Sequence, residues 1–214
     1  MKKLTKIGLF GGTFAPPHKG HINALYAMLD TVELDSVLVM PTFMPPHKQK
    51  LSVDTPKERY DMCVAAFGGM DKVTVSDFEI KKGGLSYTVE TLRRLKETYP
   101  ESEIYMLCGT DMFLTLDKWF QADEIFRLAN IVCVPRFCDD ICDITEKKLK
   151  YENKHNARIV LTKTQPFVIS STDIRDCISR GGSDDELRKY LPDGVIDLVK
   201  KSGLYSADGG GGNG

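Results

Sequence analysis

Short apolar runs alternate along this chain with longer stretches in which apolar side chains recur every three or four positions. The runs fall at residues 6–10, 36–40, 73–76, 103–108, 130–134 and 158–161. Each has the length of a strand, and most of the segments between them carry helical spacing. This alternation predicts a doubly wound α/β fold, a parallel sheet covered by helices on both faces. Ligands of such sheets gather beyond the carboxyl ends of the strands, close to the point where strand order reverses. Four places in the sequence fall there: residues 11–21, the segment from Pro41 onward, Gly109 to Asp111, and Arg136.

Several element ends are written locally. Thr55, Pro56, Lys57 and Glu58 form a capping box with proline at the first helical position, and the helix then runs through Tyr60, Val64 and Phe67 to Gly68 and Gly69. Ser170 to Asp173 form a second box, with Ser170 at the N-cap and Ile174, Cys177 and Ile178 as the apolar stripe. Residues 184–191 and 195–201 predict short closing helices. The stretch 137–156 has no clear period. Residues 206–214 read as a flexible glycine-rich linker or added tail, which leaves one domain over 1–205.

Composition narrows the picture. The 214 residues, 42% of them hydrophobic, suffice for one core. With 29 basic and 30 acidic residues the net charge is −1, which speaks against a nonspecific nucleic-acid binder. No apolar run approaches the roughly 20 residues of a membrane span, and no signal-peptide core follows the N-terminal lysines, so a cytoplasmic protein is expected. Cys63, Cys108, Cys133 and Cys177 lie in apolar segments and read as reduced core thiols. Cys138 and Cys142, set among Asp139, Asp140 and Asp143, read as a solvated loop, and no metal-ligand set is expected. The oligomeric state stays open, a homo-oligomer included.

The segment with the most chemistry is Gly11-Gly12-Thr13-Phe14-Ala15-Pro16-Pro17-His18-Lys19-Gly20-His21. A strand feeds a glycine turn and the turn feeds a helix. Glycines let phosphates approach the backbone, and a helix N-terminus favours anions. His18 and His21, three apart at the helix entrance, can face one anion. An ordinary turn with two surface histidines is the alternative. Arg175, one residue off the stripe of its helix, can reach phosphates, or sit solvated.

The first segment resembles the Gly-Gly-Thr-Phe-Asp-Pro-x-His-x-Gly-His signature of the nucleotidyltransferase superfamily, in particular of bacterial nicotinate-nucleotide adenylyltransferases. Ile169-Ser170-Ser171-Thr172-Asp173-Ile174-Arg175 resembles their second signature, Ile-Ser-x-Thr-x-x-Arg. Ala15 stands where the family usually has Asp, a departure that bears on loop geometry more than on the histidines. The resemblance spans about residues 4 to 205 and implies a Rossmann-like nucleotidyltransferase domain.

It also implies roles. ATP would lie on Gly11, Gly12, Thr13, Phe14, His18, His21, Gly109, Asp111, Ile169, Ser170, Ser171 and Arg175, with Mg²⁺ bridging its phosphates. His18, His21, Lys48 and Arg175 would carry catalysis. The Pro45-Pro46-His47-Lys48 element would bring Lys48 to the attacking phosphate, although an exposed proline-rich loop is the plain alternative. Ser86-Tyr87-Thr88 resembles the element beside the pyridine ring, and Ser86 would equally suit a helix cap. Asp111 suits ribose hydroxyls or a helix cap. Trp119, the single tryptophan, suits stacking on a pyridinium or a place in the core. Arg136 follows the next strand and would touch substrate. Phe113 and Leu116 read as core.

The function implied is adenylyl transfer from ATP to nicotinate mononucleotide, giving deamido-NAD and pyrophosphate in NAD biosynthesis. Alternatives are transfer to phosphopantetheine or to the nicotinamide nucleotide, or a noncatalytic nucleotide sensor.

Overall fold

The computed structural model describes residues 4–46, 53–136, 140–163, 167 and 169–207. Among them six strands form one sheet: β1 (Lys6–Gly12), β2 (Ser36–Pro41), β3 (Val73–Val75), β4 (Glu103–Gly109), β5 (Asn130–Val134) and β6 (Ile159–Leu161). All neighbours are parallel and the order is β3-β2-β1-β4-β5-β6. Strand order therefore reverses between β1 and β4, which opens a crevice at their carboxyl ends.

The helices are α1 (Lys19–Thr31), α2 (Pro56–Phe67), α3 (Phe78–Lys82), α4 (Thr88–Thr98), α5 (Thr110–Thr115), α6 (Ala122–Leu128), α7 (Ile141–His155), α8 (Ser171–Ser179), α9 (Asp184–Leu187) and α10 (Asp193–Ser202). No described helix is long and apolar enough to cross a membrane.

Both faces of the sheet are covered, which is why the strands read as unbroken apolar runs instead of alternating ones. On β5, Ile131 and Cys133 join the core beneath α4 to α7, while Val132 and Val134 join the core beneath α1 and α2. A third cluster packs Ile174, Leu187, Val195 and Val199 of the C-terminal helices against Met62 of α2. Cys63, Cys108, Cys133 and Cys177 are free and buried. Burial pushes the Cys133 thiol up to about 12, so it stays protonated and inert.

The structure departs from expectation in three places. β1 runs two residues further than its apolar run, so Gly11 and Gly12 end the strand instead of leaving it. α1 begins at Lys19, ahead of its first apolar residue. Residues 141–155 form a helix where no period was legible, because only Ile144 and Tyr151, two turns apart, are buried on it. Cys142 is exposed on that helix, and Cys138 lies outside the described residues.

One buried ionic link ties the sheet's crevice to the C-terminal segment. Arg59 on α2 lies on the apolar stripe with Met62, Cys63 and Phe67. Its guanidinium pairs with Asp54 at 2.7 Å, the two side chains being 4% and 0% exposed. It also donates to the Thr42 and Phe43 carbonyls, both at 2.8 Å. The Tyr205 hydroxyl donates to the other Asp54 oxygen. Replacing Arg59 by Ala strands a buried carboxylate, and urea unfolding at neutral pH is expected to register a loss of about 3–5 kcal/mol.

Candidate active site

Two cavities open at the carboxyl end of the sheet. The larger, about 500 Å³, lies between the loop after β1, the start of α5 and the start of α8. The smaller, about 300 Å³, lies between β1, the start of α4 and the segment around Trp119. They share Gly11, Gly12, Thr13, Leu107 and Met112. A Cβ built on Gly11 meets nothing within 4 Å, so that glycine faces the open space where the cavities join.

The loop after β1 is fixed by its own rings. Phe14 takes a left-handed backbone (φ 51°), which is unfavourable for a residue of its size. Its buried ring is held edge-on against Phe10 (5.1 Å), His21 (5.0 Å) and Phe67 (5.8 Å). The Ala15–Pro16 peptide is cis. His18 then serves as N-cap of α1: its Nδ1 accepts the His21 amide at 3.3 Å, and His21 Nδ1 accepts the His18 amide at 3.1 Å. The rings lie 3.7 Å apart at 31°. Gly20 permits this, because a Cβ there would come within 3.0 Å of the His18 ring and 3.1 Å of Ile169.

These bonds decide the protonation of the pair. An imidazole whose Nδ1 accepts carries its proton on Nε2. Burial lowers the His18 pKa to about 4, with Arg136 adding to the effect and Asp173 opposing it. Burial also holds His21 well below the usual value, helped by His18 and Arg136. At neutral pH the site thus presents two uncharged rings with Nε2–H donors.

The amides of α1 are mostly used internally, contrary to the simple expectation of a phosphate-binding helix start. The His18 and His21 amides meet the partner imidazoles, and the Lys19 amide donates to Tyr190 O at 2.8 Å. The Gly20 amide is the one left without a partner among the described residues. The open helix start is that of α8. There Ser170 and Asp173 cap reciprocally, and among the described residues no partner engages the Ser171 and Thr172 amides. Arg175 donates to Ala15 O at 2.7 Å and to Thr172 Oγ1 at 2.9 Å, and the Ser171 hydroxyl donates to Pro16 O at 3.1 Å. The two motifs, 150 residues apart in sequence, are one wall of the larger cavity.

Gly109, Asp111, Ile169 and Arg136 line the same cavity. Asp111 does not cap α5, whose N-cap is Gly109; its exposed carboxylate pairs with Arg136 at 3.1 Å. Arg136 also donates to Ile169 O at 3.3 Å. Arg136 and Asp111 therefore lie on the larger cavity and not on the smaller one.

Ser86, Tyr87, Thr88 and Trp119 line the smaller cavity. Ser86 caps nothing; its hydroxyl accepts the Phe43 amide at 3.0 Å and pins the loop after β2. Tyr87 is the N-cap of α4 without a side-chain cap, which leaves the first amides of that helix open to a ligand. Trp119 is part-buried against the core and also faces the cavity. Phe113 and Leu116 are fully buried. Lys48 and His47 lie outside the described residues.

Sequence reasoning missed Glu79, Thr91 and Phe120, which also line the smaller cavity. Glu79 sits in a five-residue helix too short for a periodic signal. Arg59 had a usable signal, a cation at a stripe position that demands a buried partner.

Residues 9–177 match the cytidylyltransferase-like family. This chain belongs to that family, and it is a nucleotidyltransferase. At closer range it groups with nicotinate-nucleotide adenylyltransferases. It is 37% identical over 202 residues, 94% of this chain and 98% of the relative, to a protein of Clostridium perfringens named "Probable nicotinate-nucleotide adenylyltransferase". A Clostridium kluyveri protein of the same name is 35% identical over 207 residues, 94% of this chain and 100% of its own. In fold it is similar to the solved Plasmodium falciparum nicotinic acid mononucleotide adenylyltransferase complexed with NaAD, with TM-score 0.73, 16% identity and coverage of 94% and 97% of the two chains.

The lowered histidine pKa has a sign that can be checked. His18 binds a proton near pH 6.5 when unfolded and near 4 when folded, so its contribution to stability is complete above about 6.5 and drains away as pH falls towards 4. Between pH 7 and pH 5, the wild type is expected to lose about 1–2 kcal/mol more than a His18→Gln variant, read by urea unfolding at both pH values.

Proposed function

We propose that this protein transfers the adenylyl group of ATP to nicotinate mononucleotide, releasing pyrophosphate and forming deamido-NAD. The observation that carries the reading is the pair of cavities that meet at Gly11 to Thr13, one lined by His18, His21 and Arg175 and the other by Trp119 and the start of α4.

In this reading ATP occupies the larger cavity, with its β- and γ-phosphates on the α8 amides and Arg175 and its ribose near Asp111. The nicotinate ring occupies the smaller cavity against Trp119, its carboxylate facing the first amides of α4. A phosphate oxygen of the mononucleotide attacks the α-phosphorus over Gly11, and the bond from that phosphorus to the bridging oxygen breaks. The electron pair leaves on pyrophosphate. A phosphate monoester is already ionised near pH 7, so the step needs no general base.

The histidine pair supplies fixed Nε2–H donors to the α-phosphate oxygens as charge builds there. Neutral rings suit this role because neither can protonate the nucleophile. Lys48 completes the charge balance on the attacking phosphate, as the resemblance of its segment implies. A divalent ion, Mg²⁺, would neutralise the triphosphate. Among the described residues no three His, Cys, Asp or Glu side chains converge as ligands. In this reading the ion enters as part of MgATP.

The deciding experiment measures pyrophosphate release from MgATP with nicotinate mononucleotide, nicotinamide mononucleotide and phosphopantetheine offered separately. Release with the nicotinate nucleotide is expected. Release with phosphopantetheine alone reassigns the acceptor, and ATP binding without release in any arm points to a sensor. Two variants test the geometry. His18→Ala is expected to lower kcat about 100- to 1,000-fold with the fold retained. Gly11→Val puts a side chain where the two cavities join; it should unfold at close to the wild-type midpoint and yet lose turnover.

A further inference from the structure

The smaller cavity holds a carboxyl group that the transfer mechanism does not use. Glu79 on α3 is 6% exposed and lines the cavity beside Ser86 and Thr88. Its Oε1 accepts the Thr91 hydroxyl at 2.6 Å. Its Oε2 is buried and makes no direct hydrogen bond, with the Ser86 hydroxyl as the nearby donor that favours its charge. A buried polar atom without a full hydrogen bond is unfavourable, and a bound ligand can complete it. We propose that Glu79 is a specificity-determining residue that reads the substituent on the pyridine ring, donating a proton to a carboxylate when it is itself neutral and accepting an amide N–H when it is ionised.

The inference rests on the reading of the smaller cavity as the pyridine site, and it names what that site distinguishes. The two candidate nucleotides differ only in this substituent. A nicotinate carboxylate accepts and cannot donate, so opposite an ionised Glu79 two anions would face each other in a largely apolar cavity. A carboxamide offers two N–H donors and suits the ionised form. One side chain therefore favours opposite substrates in its two protonation states.

The surroundings let both states occur. Burial raises the Glu79 pKa; the Thr91 and Ser86 hydroxyls and Lys82 oppose that rise, and Glu90 adds to it. Lys82 and Glu90 form an ion pair, so their charges on Glu79 largely offset. Of the other elements against α3, β2 carries no titratable side chain, and α2 brings Tyr60 within electrostatic reach of Lys81. Ser86 Oγ already accepts the Phe43 amide, which leaves its own proton to donate.

The test compares kcat/KM for nicotinate mononucleotide with that for nicotinamide mononucleotide as a function of pH. The ratio cancels everything common to the two substrates, including titration of their phosphates, of ATP and of the histidines. In the wild type the acid-to-amide ratio is expected to fall about tenfold as pH rises above the ordinary carboxyl range and Glu79 loses its proton. Glu79→Gln keeps an oxygen for Thr91 and a fixed donor for the cavity. Its ratio is expected to stay within about threefold of its low-pH value throughout that rise. MgATP binding by calorimetry reports that the variant is folded, and should it not be, the wild-type profile alone decides. A wild-type ratio flat with pH, or a folded Glu79→Gln enzyme that still follows the wild-type curve, overturns the inference while leaving adenylyl transfer in place. Absence of pyrophosphate release with both nucleotides in the wild type overturns the underlying reading and the inference together.

Discussion

His18 and His21 bond to each other's backbone amides, and those two bonds set most of what lies around them. They start α1 where serine or aspartate would ordinarily start a helix. They consume Nδ1 on both rings, which puts both remaining protons on Nε2. They also require a bare Gly20 beneath the His18 ring and a buried, left-handed Phe14 against His21. A carboxylate cap would start the helix as well but would carry no proton to donate. The same residues that satisfy the local backbone thus make the chemistry available, and burial keeps them uncharged while they do so.

The turn is not self-supporting. Its carbonyls at Ala15 and Pro16 are taken by Arg175 and Ser171 of α8, and the first amide of α1 is taken by Tyr190. The loop after β1 therefore depends on contacts from the C-terminal third of the chain. This also explains how Ala15 fits where an acidic residue is usual: its backbone oxygen, which any residue supplies, is what Arg175 holds, and its small side chain is buried.

Much of this was legible in the sequence for physical reasons that can be named. Strands buried on both faces leave continuous apolar runs, and all six appeared within two residues of their ends. Capping boxes are local, so the starts of α2 and α8 were readable at Thr55 and Ser170. The cap on α1 was not, because histidine is rarely a cap and its bond depends on a reciprocal partner. α7 escaped because two buried residues in fifteen leave no period. Ser86 and Asp111 looked like caps but answer instead to Phe43 and Arg136, partners 43 and 25 residues away. Glu79 was invisible because α3 is too short to show a period and its partner Thr91 lies 12 residues further on.

The link from Tyr205 through Asp54 and Arg59 to the Thr42 and Phe43 carbonyls joins residues 151 apart in sequence, at the rim of the smaller cavity. During synthesis Arg59 can pair with Asp54 and hold the Thr42 and Phe43 carbonyls early, but the bond to the second Asp54 oxygen waits until Tyr205 has been made. A nascent chain can therefore bury most of its core well before that rim is complete. Order of manufacture, as well as energy, decides when the smaller cavity takes its final shape.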